Sequence, residues 1–107
     1  MLVAALALLL GQGSGGLSEQ SSRAHEAWAL CTGLSAWSQT SNPEPPAAVV
    51  EIALRQCEHE ERRLRKALRR QFNGVSVDRM IESLRRVARD DLSRRVGEAR
   101  RAASQRK

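Results

Sequence analysis

Residues 46–72 read PAAVVEIALRQCEHEERRLRKALRRQF, and the fold follows from how this stretch is patterned. Val50, Ala53, Leu54 and Cys57 recur at three- and four-residue steps, as do Leu64, Ala67, Leu68 and Phe72, which is the spacing of one helical face. Pro46 suits the first turn of such a helix, where its missing N–H is not needed. Glu60 and Glu61 interrupt the stripe, so the expected helix over 46–72 has two apolar halves. Upstream, Ala24, Ala27, Trp28, Cys31, Leu34 and Trp37 share a face of a helix over 23–38. Asn42-Pro43 and Pro45-Pro46 form the turn between these two helices, because proline biases its preceding residue away from helix. Downstream, Asn73-Gly74 closes the second helix, both residues accepting the left-handed conformation. A third helix over 77–96 follows, with Ser76 as cap, Asp78 in its first turn and Val75 packing on Met80. Its stripe is Val77, Met80, Ile81, Leu84, Val87 or Ala88, Leu92, Val96 and Ala99. No strand-like alternation lasts more than a few residues. The expected fold is therefore all-α: an antiparallel helical hairpin followed by a third, basic amphipathic helix.

The hairpin brings the two cysteines into register. Cys31 lies about eight residues before the end of the first helix and Cys57 about eleven after the start of the second, so their depths differ by only about 4 to 5 Å. A Cys31–Cys57 disulfide is expected, and the need for it is visible in the composition. Residues 21–107 hold 16 Leu, Ile, Val and Phe among 87 residues, with 18 basic against 11 acidic side chains. Such a chain lies near the compositional border of disorder. A bridge closing this loop stabilises by roughly 3 to 4 kcal/mol on the chain-entropy model.

The whole chain has 107 residues, one domain at most. Its first segment sets it apart from a cytosolic protein. Leu2 to Leu10 is an uncharged run of Leu, Val and Ala, too short for the roughly 17 residues of a bilayer span but within the about 7 to 15 of a signal-peptide core. Gly11 to Gly16 supplies small residues for cleavage, although no Lys or Arg precedes Leu2. We expect a signal peptide over 1–13, a flexible lead over 14–22, a helical domain over 23–96 and a basic, frayed C-terminus over 97–107. A periplasmic or secreted location follows, in keeping with a disulfide.

The residues that carry chemistry are few. His25, Cys31, Cys57 and His59 lack the close ligand pairs of a structural zinc site, and Cys57 and His59 point to different sides of a helix. There is no CxxC, no G-x-S-x-G and no glycine-rich phosphate loop, so neither an enzyme nor a cofactor is expected. Glu58 with Arg62, Glu61 with Arg65, Glu82 with Arg86, Asp90 with Arg94 and Asp91 with Arg95 have the i,i+4 spacing of surface ion pairs.

Arginine is the remaining signal. The formal charge is +6, and Arg62, Arg63, Arg65, Lys66, Arg69 and Arg70 fall within nine residues that contain no acid. These six are the candidate anion-binding residues. The run lacks the interleaved aromatics of single-strand binders, so nucleic acid is not favoured. The reading is a small exported, non-enzymatic protein that binds a macromolecular partner or an anionic surface, with a homodimer through the third helix as a further expectation. The alternative is a cytoplasmic nucleic-acid-binding protein that uses its arginine-rich helices.

Overall fold

A computed structural model describes residues 16–106. The signal-peptide expectation for residues 1–13 lies outside the described residues. Among the described residues four helices follow one another: α1 (Glu19–Ser38), α2 (Pro46–Gln56), α3 (Glu58–Arg69) and α4 (Gly74–Gln105). Among the described residues there is no strand, and no helix is long and apolar enough to cross a membrane. The chain is all-α.

The expected helix over 46–72 is two helices that break at Cys57, where φ is −104° and ψ is 23°. The Cys57 N–H still reaches back to the carbonyls of Ala53 and Leu54, at 3.1 and 3.3 Å, and its carbonyl accepts from Glu61 N–H at 3.0 Å. Only one residue leaves the helical path. Glu58, Glu60 and Glu61 occupy the first turn of α3, where the positive end of the helix dipole favours them.

The direction of pairing follows from three contacts. Gln71 meets Ser18 at the start of α1, Cys57 is bonded to Cys31 in its middle, and Val49 and Ala53 pack with Ala36 near its end. The chain from 46 to 69 thus runs back along α1. The Cys31–Cys57 disulfide has a Cα–Cα distance of 5.9 Å, and no free cysteine remains among the described residues. Helix α4 turns again and lies along both, so its stripe is used within the chain: Val77, Ile81 and Val96 are buried, and Leu84, Ala88 and Leu92 pack against the same clusters.

Three boundaries differ from the expectation. Helix α1 starts at Glu19, because Ser18 Oγ accepts from Ser21 N–H and Ser18 N–H donates to Gln71 Oε1; the end of the expected flexible lead is therefore helical. Asn73 does not close a helix by left-handed backbone, and no described residue has a positive φ. Asn73 is instead the extended N-cap of α4, its Oδ1 accepting from Ser76 N–H at 2.9 Å. Phe72 and Val77 then hold the staple positions and both join the core, while Val75 is exposed.

The third difference is the C-terminus, expected to fray from 97. Helix α4 continues to Gln105 because Arg100 is anchored: Nε donates to Thr40 O at 3.0 Å and Nη2 donates to Asn42 O. Those two carbonyls belong to the α1–α2 turn, where helical partners are missing. Arg100 thereby ties the far end of α4 to the end of α1.

Candidate functional site

Helix α3 carries all six candidate cations, and its geometry sorts them. At about 100° per residue, Arg65, Arg69, Arg62, Lys66, Arg70 and Arg63 span an arc of about 160°. Leu64 and Leu68 lie on the opposite side and are buried. The core thus fixes which side of α3 faces outward, and the arc is that side. All six are exposed except Arg65, which is partly buried.

The arc is not uniformly free. Arg65 Nη1 pairs with Asp78 on α4, and Arg62 lies 3.9 Å from Glu58 one turn back. Arg63, Lys66, Arg69 and Arg70 have no carboxylate partner among the described residues. A groove of about 430 Å³ between α1 and α3 is lined by Arg63, Lys66 and Arg70 together with Gln20, Arg23 and Ala27 of α1. Arg70 Nη1 donates to Gln20 Oε1 at 3.2 Å, and Arg23 is held by Glu19 at 2.6 Å. Glu60 stands in the same groove, with Oε2 buried and without a hydrogen-bond partner among the described residues. That carboxylate opposes an anion on the groove floor, so the binding face is the outward arc.

Three expected i,i+4 ion pairs are replaced, one of them by a pair between helices and two by other pairs within α4. Glu61 is only 7% exposed and meets Arg85 of α4, not Arg65: Nε donates to Oε1 and Nη2 to Oε2, both at 2.6 Å. The Glu61 hydrogen bond is the main cause raising Arg85 above the ordinary arginine range. Glu82 lies near Arg85 and Arg89 instead of Arg86, and Arg89 also pairs with Glu51 at 2.6 Å. Arg94 turns to Asp91 and Glu98 instead of Asp90, while Asp91 keeps Arg95 at 2.9 Å. The partner on a neighbouring helix wins for Glu61, where the packing holds Arg85 close and partly dry, while Glu82 and Arg94 exchange partners within α4.

Arg23 was not among the sequence candidates, since it stands alone on the expected first helix; only the pairing of α1 with α3 places it beside the arc. Leu34 and Trp37 were expected on the core side of that helix. The core instead takes Ser21, Trp28, Thr32 and Ala36 and leaves Leu30, Leu34 and Trp37 outside. A further concavity of about 470 Å³ at the start of α1 and α4 is walled mainly by Leu17, Leu64, Leu68, Met80, Leu84 and Val87 and offers little polar chemistry. His25 and His59 are not grouped with other metal-ligating side chains among the described residues.

No protein-family model, no curated protein and no solved structure matches this chain.

Proposed function

We propose that this chain is a small exported, non-enzymatic protein that binds an anionic macromolecule or surface through the outward arc of α3. The observation that carries the reading is Arg63, Lys66, Arg69 and Arg70: four cations on the solvent side of one short helix, none with a carboxylate partner among the described residues. Their charges add at the distances of a single helix face, and none is held in an ion pair among the described residues, although Glu60 lines the same groove as three of them. The Cys31–Cys57 disulfide supports a periplasmic or secreted setting over a cytoplasmic nucleic-acid binder, because such bridges persist in oxidising compartments.

The test is retention on heparin, duplex DNA and anionic vesicles across a salt series. Binding through four cations falls with salt at a log–log slope of about 3 to 4 on duplex DNA, whatever its sequence. Changing Arg63, Lys66, Arg69 and Arg70 together to Gln abolishes retention, whereas removing residues 101–107, which leaves the Arg100 anchor in place, does not. Absence of retention on all three supports at about 0.15 M salt overturns the binding reading. Intact Met1 on abundant cytosolic protein overturns export.

A further inference from the structure

The outward face of α1 carries Arg23, Ala27, Leu30, Leu34 and Trp37 at alternating steps of four and three residues, which makes them one ridge. Leu30, Leu34 and Trp37 are 64%, 60% and 70% exposed, more apolar surface than a chain with so small a core readily leaves in water. The ridge spans the 15 residues from Arg23 to Trp37, about 21 Å of helix. Its Arg23 end borders the groove that holds Arg63, Lys66 and Arg70, and its Trp37 end borders a shallow depression lined by Ala29, Gly33, Leu92, Arg95 and Val96. An apolar strip thus lies beside a cationic one on the same side of the molecule. The acids nearby include Glu19, held by Arg23, and Asp91, held by Arg95, together with Glu26 and Glu60.

We infer that this ridge is a membrane-contacting surface: Leu30, Leu34 and Trp37 enter the interfacial layer of an anionic phospholipid bilayer while Arg63, Lys66 and Arg70 meet its headgroup phosphates. The inference rests on the anion-binding reading above and narrows the anion to lipid. Tryptophan and leucine beside lysine and arginine are what an interfacial surface requires, the rings and alkyl groups below the phosphates and the cations level with them. Each cation near such a surface contributes on the order of 1 kcal/mol. A dissolved polyanion would leave the apolar strip wet. A second copy of the chain is a poorer occupant, since one Trp, about 150 to 250 Å², and two Leu fall well short of the roughly 800 Å² per partner of a stable interface. It would also bring the cationic flanks of two +6 chains together.

The two tryptophans give the experiment its readout, because Trp28 is 3% exposed and cannot reach a lipid without unfolding. The disulfide-bonded protein is mixed with phosphatidylcholine vesicles and with vesicles half phosphatidylglycerol, some carrying brominated acyl chains. The expected result is a blue shift and bromine quenching on the anionic vesicles, both lost in Trp37→Phe. The triple variant Leu30→Ser, Leu34→Ser, Trp37→Ser weakens vesicle partition at least about tenfold and leaves heparin retention unchanged, its exposed positions leaving helicity intact. Vesicle binding without Trp37 quenching, or unchanged in the triple variant, overturns the inference while leaving the anion-binding reading in place. A wild-type dimer in sedimentation that the triple variant abolishes also overturns it, assigning the ridge to a second copy. Loss of heparin, DNA and vesicle binding alike overturns both readings.

Discussion

Replacing Arg85 with Ala leaves the Glu61 carboxylate almost fully buried with no counter-ion. Removing one partner of a fully buried pair costs about 3 to 5 kcal/mol. The Arg85 side chain is 33% exposed, so the expected loss is nearer about 2 kcal/mol, read from the urea midpoint. Changing both residues to Leu restores most of that loss, because an apolar pair has no desolvation to repay. The Arg85 pKa is raised by its bond to Glu61, so its contribution is complete below the ordinary arginine range and is lost only as pH rises through the still higher folded value. Urea midpoints should therefore carry no Arg85-dependent change between about pH 6 and 9. Cys57 is the other decisive residue. Cys31→Ala with Cys57→Ala should lower stability by roughly 2 to 5 kcal/mol, with reducing agent having the same effect on wild type. Equal urea curves with and without reductant would show that the bridge contributes nothing.

Among the elements, α1 and α4 carry the predictions. Gly33 is in the interior of α1, where glycine costs about 0.5 to 1 kcal/mol relative to alanine, and a Cβ there meets nothing within 4 Å. Gly33→Ala is accordingly expected to raise the thermal midpoint. Asn73→Ala removes the Oδ1 acceptor at the start of α4 and is expected to cost about 1 kcal/mol. Arg100→Ala frees the carbonyls of Thr40 and Asn42; amide exchange should then quicken in residues 98–106 and leave 77–92 unchanged, the signature of local fraying. The elements also show which local signals can be read. The acids Glu58, Glu60 and Glu61 that interrupt the apolar stripe are a helix-start signal, and Glu61 falls where the 4-3-4 spacing of Cys57, Leu64 and Leu68 calls for an apolar side chain. The first marks the break at Cys57, and the second marks a buried acid needing a partner. Neither names Arg85, which is 24 residues away.

At the scale of the whole molecule, the pattern of apolar residues determined that the chain is helical, and the matching depths of Cys31 and Cys57 determined that they could be joined. Both are local or nearly local properties, since helical periodicity is set by neighbours within one or two turns and the hairpin register by a single short turn. The sequence also marked the six cations of α3. Only the tertiary structure decided which remain without a carboxylate, because Asp78 reaches Arg65 across a helix boundary, and only packing sets Arg23, itself held by Glu19, beside them. The same holds for α1: its residues offer two apolar stripes, one through Trp28 and one through Leu30, Leu34 and Trp37. A helix buries only the side its neighbours cover, so the choice fell to the placement of α2, α3 and α4. Short-range spacing fixes the helices, whereas burial and ion pairing depend on residues far apart in sequence, whose meeting is decided by how the helices share a core too small to cover every apolar side chain.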